Sequence, residues 1–264
     1  MVQYYPQLFA LVLGLVVGSF GNVLIHRLPQ KQSIIKPGSH CPACDQQLSW
    51  YDNIPLLSWL LLGGKCRSCG VRIAWRYPLV ELATGLLFLL CSLLLPDWRH
   101  FLFYLPLLIV AIPLTLIDYD HLLLPDRLVY PLIVAGLVVN GINALLPLPQ
   151  QILPVWSGLA GGGFALALFY IIAALSLRLL GKEGIGGGDI KLVAALGLFA
   201  GMSGIMVGIF LASLLGTLWQ GALILGRRRQ TSRYFPFGPY LILGTLVAVL
   251  WGERLIEWYI GWFI

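Results

Sequence analysis

Long apolar runs alternate with short polar segments along most of the chain, and this pattern predicts a bundle of membrane-spanning helices. The first run covers residues 8–26, and a polar segment, residues 26–77, follows it. Later runs lie at about 78–95, 101–117, 127–147, 156–180, 189–199, 203–225 and 239–262. A hydrocarbon core of ~30 Å requires roughly 20 helical residues, so only the run at 189–199 is too short to cross alone. We therefore predict an all-α polytopic membrane protein with about eight transmembrane helices.

The composition supports a membrane protein and excludes a water-soluble one. Hydrophobic residues make up 59% of the 264 positions and charged residues only 11%, whereas soluble domains are about 25% charged. The first run has the length of a signal peptide, but no basic region precedes it and no small-residue cleavage pattern follows it. We therefore predict a first transmembrane helix at 1–25, a polar module at 26–77 and a seven-helix membrane domain at 78–264.

The distribution of basic residues predicts the orientation of the chain. In an eight-span arrangement, fifteen of the 17 lysines and arginines fall on one side, and only Arg99 and Arg254 fall on the other. Because Lys and Arg in short loops favour the cytoplasm, we expect the polar module inside and both termini outside. Arg227, Arg228 and Arg229 belong to the cytoplasmic set. The basic residues do not line one face, so they do not indicate a nucleic-acid partner.

Two CxxC pairs in the polar module form the ligand set of a structural zinc site. Cys41 and Cys44 make the first pair, and Cys66 and Cys69 make the second, with 21 residues between the pairs. Four thiolates near this spacing bind zinc tetrahedrally, and a reducing cytoplasm keeps them available. The alternatives are two disulfides or four ordinary buried thiols. The fifth cysteine, Cys91, lies in an apolar run and receives no role.

Two aspartates at the predicted membrane border are the candidate catalytic residues. Asp118 follows the third apolar run, and Asp189 ends the glycine-rich segment 184–189. An ionisable residue at this depth is costly unless it is paired or functional. Two carboxylates at one depth can share a proton and a water, with one acting as base and the other as acid. The pattern therefore indicates hydrolysis of the aspartic-protease kind.

Other polar residues near these positions have competing interpretations. The glycine run matches neither GxGxxG nor a P-loop, although it lets a substrate backbone come close. Asp120 ranks second as a catalytic candidate, because two helical positions turn it away from Asp118. We interpret Asp126 as a helix N-cap. Glu81 and Asn22 either face the active-site cavity or pair with each other.

Several short motifs occur in order between residue 18 and about residue 240. They are Gly18-Ser-Phe-Gly-Asn22, the two CxxC pairs, Arg76-Tyr-Pro-Leu-Val-Glu81, Asp118-Tyr-Asp120, Gly186-Gly-Gly188-Asp189 and Phe237-Gly-Pro239-Tyr240. This succession resembles the bacterial type IV prepilin peptidases, a family of GxGD-type membrane aspartic proteases. The resemblance covers most of the chain.

The resemblance implies a bifunctional enzyme of the bacterial inner membrane. Asp118 and Asp189 match the family's catalytic aspartates, and the family cuts the basic leader from prepilins and pseudopilins at the cytoplasmic face, after a glycine. It then methylates the new N-terminal residue with S-adenosylmethionine. Gly64 and Lys65 lie in the stretch that the resemblance associates with methylation, although a zinc-knuckle lysine and an ordinary turn explain them equally well. The expected partners are pilin precursors and the lipid bilayer, and the oligomeric state stays open.

Two further functions fit parts of the pattern. In an ion- or proton-coupled transporter the two aspartates would form a relay, although they lie at the border and no inverted repeat is visible. In a non-catalytic assembly platform the polar module at 26–77, which holds the two CxxC pairs and is called the cysteine module below, would recruit a partner. For a protease, helix dipoles suggest that Asp189 at a helix start enters as base and that Asp118 at a helix end enters as acid.

Overall fold

The computed structural model describes residues 5–146, 151–154, 156–182, 184–226 and 235–262. In these residues the helices are α1 (Tyr5–Arg27), α2 (Leu57–Leu61), α3 (Arg76–Leu94), α4 (Trp98–His121), α5 (Asp126–Leu145), α6 (Ser157–Leu180), α7 (Gly187–Leu225) and α8 (Gly238–Ile260). All except α2 are long and apolar enough to cross a membrane. The described part of the chain contains no strand, so the predicted all-α membrane fold is confirmed. The basic residues 227–229 lie outside the described residues.

The chain forms two compact units, Met1–Pro113 (unit 1) and Leu114–Ile264 (unit 2). The boundary falls within α4, which contributes to both units. The domain division predicted at residues 25 and 77 follows sequence motifs rather than packing, and it stays a prediction.

In unit 1, α1 and α3 pack closely because glycines occupy the contact. A β-carbon on Gly14 would lie 2.8 Å from Phe88 Cβ, and one on Gly18 would lie 2.7 Å from Glu81 Cα. In membranes, small residues of this kind let two helix backbones approach each other. The contact places the α3 backbone at Glu81 directly against α1.

In unit 2, α7 is interrupted at Gly201, whose φ of 68° and ψ of −177° are not helical. Glycine suits this positive φ, and a β-carbon there would lie 2.6 Å from Ser157 Oγ. The Ser157 hydroxyl accepts the N–H of Met202 at 3.1 Å, and Asn140 Nδ2 donates to the Leu198 carbonyl at 2.7 Å. Side chains from α5 and α6 therefore satisfy backbone groups at a point where the regular helix is broken.

The two segments of α7 run in opposite directions. The first segment begins beside Leu124, because a β-carbon on Gly188 would lie 3.0 Å from Leu124 Cβ; one on Gly238, at the start of α8, would lie 3.3 Å from Leu124 Cδ2. In the second segment, later residues lie nearer to the start of α8 than earlier ones: the contacts are Gly216 with Tyr240 and Gly208 with Thr245. The chain therefore returns toward its starting level after Gly201. The predicted runs at 189–199 and 203–225 correspond to these two segments.

Candidate active site and metal centre

Asp118 and Asp189 line one cavity of about 380 Å³ in unit 2. Asp118 lies in the last turn of α4, is 5% exposed and accepts the N–H of Gly238 on Oδ2 at 3.0 Å. Asp189 lies in the first turn of α7, and no described residue hydrogen-bonds its buried Oδ1. The two carboxylates are close enough for their charges to interact. The structure thus brings the two candidate residues together, whereas their catalytic role stays a prediction.

Glycines allow the backbone to approach both carboxylates. A β-carbon on Gly238 would lie 2.7 Å from Asp118 Oδ2, and one on Gly186 would lie 3.2 Å from Asp189 Oδ2. In contrast, a β-carbon on Gly187 would meet no described atom within 4 Å. Packing therefore requires glycine beside the carboxylates but leaves space at the central position of the GxGD motif.

An ion pair forms part of the cavity wall. Lys191 pairs with Asp126, and its ammonium lies 5.2 Å from the centre of the Tyr130 ring. Asp126 is the first residue of α5, with Pro125 at the N-cap position, so the interpretation of Asp126 as an N-cap is wrong. Asp120 is exposed and is not among the lining residues of this cavity. No local pattern indicates the contact of Lys191 with Asp126, because 65 positions separate the two residues.

The four cysteines of the two CxxC pairs have the geometry of a metal site. They lie between α1 and α3, and their Sγ atoms all lie within 4.8 Å of one another. The Sγ atoms of Cys41 and Cys69 are 3.8 Å apart, which matches the ~3.8 Å edge of a tetrahedron with metal–sulfur bonds of ~2.3 Å. All are free thiols, so the structure contains neither of the alternative disulfides. The donor set therefore fits a tetrahedral metal ion.

The two cysteine segments repeat one backbone design. In the first, Cys41 N–H donates to Gln46 O at 3.0 Å and Asp45 N–H donates to Cys41 O at 2.9 Å. In the second, equivalent bonds join residues numbered 25 higher: Cys66 with Val71, and Gly70 with Cys66, each at 2.9 Å. Each segment also supplies one buried and one exposed cysteine. We call these two segments, residues 41–46 and 66–71, the first and the second knuckle.

Backbone donors favour thiolate formation at the buried end of the second knuckle. The N–H groups of Cys69 and Ser68 lower the pKa of the Cys66 thiol to about 7. At Cys44 the Gln46 N–H has the same effect, but desolvation and the neighbouring sulfurs outweigh it and raise the pKa to about 12. A divalent cation removes this conflict because it stabilises all four thiolates together.

A second cavity, of about 590 Å³, lies within unit 1, and Glu81, Trp59, Cys41 and Cys66 are among its lining residues. Gly64 does not line it but supports Trp59, since Gly64 has a φ of +68° and a β-carbon there would lie 2.8 Å from the Trp59 ring. Lys65 is exposed, and its backbone pairs with Arg72 as an isolated bridge. The role of Gly64 and Lys65 in methylation stays a prediction.

Asn22 and Glu81 do not pair with each other. Asn22 Nδ2 donates to the Tyr77 carbonyl at 3.0 Å, whereas Glu81 Oε2 accepts the N–H of Leu56 at 2.8 Å. Both side chains line the cavity of unit 1. Neither residue is among the lining residues of the cavity that holds Asp118 and Asp189, so neither of the two interpretations left open by the sequence is confirmed.

These features define a polytopic membrane protein with a pair of carboxylates at one cavity and a separate four-cysteine metal centre. Family comparison assigns residues 12–95 to the bacterial peptidase A24 N-terminal domain and residues 102–221 to the type IV leader peptidase family. The chain belongs to the type IV leader peptidase family.

Curated relatives are similar to this chain over nearly their full length. The prepilin leader peptidase/N-methyltransferase of Aeromonas salmonicida is 39% identical over 284 residues, which cover 98% of this chain and 94% of that protein. The protein of the same name from Pseudomonas aeruginosa is 36% identical over an alignment of 293 residues, which covers 97% of this chain and 95% of that protein. The one from Neisseria gonorrhoeae is 36% identical over 285 residues, which cover 95% and 93%. No solved structure matches the chain.

Proposed function

We propose that the protein is a membrane endopeptidase that removes the leader from type IV prepilins and pseudopilins and then methylates the new N-terminal residue. The observation that carries the peptidase proposal is the placement of Asp118 and Asp189 at one cavity. Membership of the leader peptidase family supports it, and so do the names of the relatives. A transporter or an assembly platform has no comparable support.

In the proposed reaction the two aspartates divide the proton transfers between them. One carboxylate accepts a proton from water while the water oxygen attacks the scissile carbonyl carbon, and the other, protonated, donates to the carbonyl oxygen. The tetrahedral intermediate then collapses and the C–N bond breaks. The leaving amine receives the proton taken from water, and one hydroxyl of the intermediate returns its proton to the second carboxylate. Both carboxyl groups are needed, because one must be ionised to accept a proton from water while the other must be protonated to donate to the carbonyl oxygen.

We do not assign the acid role and the base role to individual aspartates. Helix dipoles favour the anion on Asp189, which lies in the first turn of α7. Hydrogen bonding does not separate the two residues, because the Gly238 N–H donates to the Asp118 carboxylate and the Gly186 N–H donates to the Asp189 carboxylate. We therefore assign both roles to the pair, which titrates as one system.

We propose that both reactions occur at the cytoplasmic face of the inner membrane. The support is the distribution of lysine and arginine, fifteen of 17 on one side of an eight-span arrangement. The four-thiolate donor set supports zinc as the structural metal, because soft sulfur ligands in a closed tetrahedron favour it. S-adenosylmethionine, when bound, supplies the electrophilic methyl group for the second reaction.

The peptidase proposal is tested by Asp118→Asn and Asp189→Asn. Each substitution removes a proton acceptor while keeping the shape of the side chain, so we expect leader cleavage to fall below detection in either variant. The measurement is mass spectrometry of a prepilin incubated with the protein in detergent, in which loss of the leader and gain of one methylene are separate readouts.

Asp120→Asn is the matched control, because this nearby carboxylate does not line the cavity. It should cleave at close to the wild-type rate. Wild-type cleavage by Asp118→Asn or by Asp189→Asn would remove that residue from catalysis.

A further inference from the structure

The cavity of unit 1 has the size and lining of a small-molecule site. Its volume of about 590 Å³ lies within the range of ~300–1,000 Å³ that is typical of ligand pockets. α1, α3 and the cysteine module all contribute to its wall, and the contributing side chains include Asn22, Leu56, Trp59 and Tyr77. Apolar and aromatic groups with a few convergent polar atoms are the usual composition of such pockets.

Glu81 is held in this cavity by a hydrogen bond from Leu56, a residue whose backbone conformation is strained. Its Oε2 accepts the N–H of Leu56, and the Ser19 hydroxyl is a second donor to the carboxylate. Leu56 has a φ of 61° and a ψ of −48°, and the Leu57 N–H bonds to Pro55 O at 2.6 Å. These values describe a γ-turn with positive φ, which is a rare and strained conformation for a non-glycine residue. Strained residues of this kind cluster at functional sites.

The charge of Glu81 has no cationic partner among the described side chains. The neighbouring acidic residue Asp52 is already bonded to Arg67, at 2.7 and 3.0 Å. The guanidinium of Arg27 donates instead to the carbonyls of Ser33 and Gly38. A partly buried carboxylate is costly without a compensating charge, so a bound cation would complete this site.

We propose that the cavity of unit 1 binds an organic cation of the methyl-transfer reaction, with Glu81 as the counter-charge. This inference rests on the proposed function, in which two reactants carry such a charge. One is the sulfonium of S-adenosylmethionine, and the other is the α-ammonium of the newly cut substrate. Both combine one positive charge with apolar surface, which suits a carboxylate set among Trp59, Tyr77 and Leu56.

The test compares each cation with an analogue that lacks the positive charge in question and so carries one unit less of net charge. Equilibrium binding to the purified full-length protein is measured for S-adenosylmethionine and for its thioether product S-adenosylhomocysteine, which lacks the sulfonium charge and has no net charge. A short apolar peptide with a free α-amino group is compared in the same way with its N-acetylated form. All four are measured with the wild type, with Glu81→Gln, and with Glu257→Gln as a matched control at an exposed glutamate.

We expect Glu81→Gln to weaken binding of one cation by about tenfold or more, as for a hydrogen-bonded charge pair, and its neutral analogue by less than about twofold. The cation whose binding weakens identifies which of the two reactants the cavity binds. Equal weakening of a cation and its neutral analogue, unchanged binding of both cations, or no binding by the wild type would each overturn the proposal.

The inference fails independently of the peptidase proposal. Binding of these probes requires no cleavage, and leader cleavage is judged on Asp118→Asn and Asp189→Asn. The zinc content and the thermal midpoint of Glu81→Gln are measured alongside, because a collapsed cavity would change them as well. Leu56→Gly, which relieves the positive φ while keeping the N–H donor, should retain the preference for the cation.

Discussion

The position of one carboxylate depends on a distant glycine. Asp118 is fixed by the N–H of Gly238, and a β-carbon at position 238 would lie 2.7 Å from Asp118 Oδ2. The atom that such a β-carbon would meet belongs to the carboxylate itself, so any side chain at position 238 would displace the group that transfers a proton in the proposed mechanism. Small displacements of catalytic groups are expensive in rate.

Gly238→Ala should therefore lower leader cleavage by ~10- to 100-fold. The reason is displacement of Asp118 rather than loss of a functional group, so the reduction should be smaller than for Asp118→Asn. Initial rates of prepilin cleavage provide the measurement. Gly187→Ala is the control, because a β-carbon there meets no described atom within 4 Å; we expect its rate to stay within about twofold of the wild type. Equal losses in the two variants would contradict this account.

At the scale of structural elements, the cysteine module combines a four-thiol set that can hold a metal ion with part of the wall of the cavity in unit 1. The buried members of the two knuckles, Cys41 and Cys66, line the cavity, whereas Cys44 and Cys69 are exposed. The module has little regular structure, with a short helix and isolated bridges between its turns. Segments of this kind depend on their metal for folding, so the shape of the cavity depends on it too.

Removal of the metal should abolish methylation before it abolishes leader cleavage. Cys41→Ser and Cys66→Ser should lose the metal, which we expect at about one zinc ion per chain in the wild type. Elemental analysis of the purified protein measures the metal, and mass spectrometry of the pilin product measures methylation and cleavage separately.

Cys91→Ala is the control for these variants, since this thiol is buried in α3 and belongs to neither knuckle. It should keep its metal and both activities. If Cys41→Ser and Cys66→Ser lost the metal but still methylated the cleaved pilin, the assignment of the module to the methylation site would be wrong.

At the scale of the whole molecule, the direction of α7 determines the topology of the C-terminal part. α7 satisfies the length criterion for a membrane helix as one element, but its two segments run in opposite directions around Gly201. Counted over the helices of the described residues, this reversal predicts eight passes rather than seven. An eighth crossing agrees with the basic residues that follow position 225, which favour the cytoplasm.

Reporter fusions distinguish the two topologies. A green fluorescent protein fused after Leu225 should be fluorescent, and alkaline phosphatase at the same point should be inactive, because the proposed topology places this end of α7 in the cytoplasm. Phosphatase fused at Asp97, between α3 and α4, should be active and serves as the control. Phosphatase activity after Leu225 would mean that α7 crosses only once.

The sequence predicts those features that depend on composition or on local spacing. Apolar runs indicated the helices, and the CxxC spacing indicated the metal ligands. The contacts that orient the sites were not accessible in this way, because they join distant backbone atoms to side chains. Gly238 lies 120 positions from Asp118, and Leu56 lies 25 positions from Glu81. The strained turn at Leu56 was also hidden, since leucine is not a residue that indicates positive φ.

The break at Gly201 also determines how much of the bilayer the first segment of α7 spans. From residue 187 to the break, roughly 14 residues rise only ~21 Å, whereas the hydrocarbon core is ~30 Å thick. Protein rather than lipid surrounds this segment, because Leu192, Leu196 and Phe199 are fully buried. Polar groups at membrane depth are tolerated where they line a water-filled cavity, and Asp189 lines a cavity at the N-terminal end of this segment. Because hydrolysis consumes one water for each bond cut, we expect that cavity to supply the second substrate of the reaction.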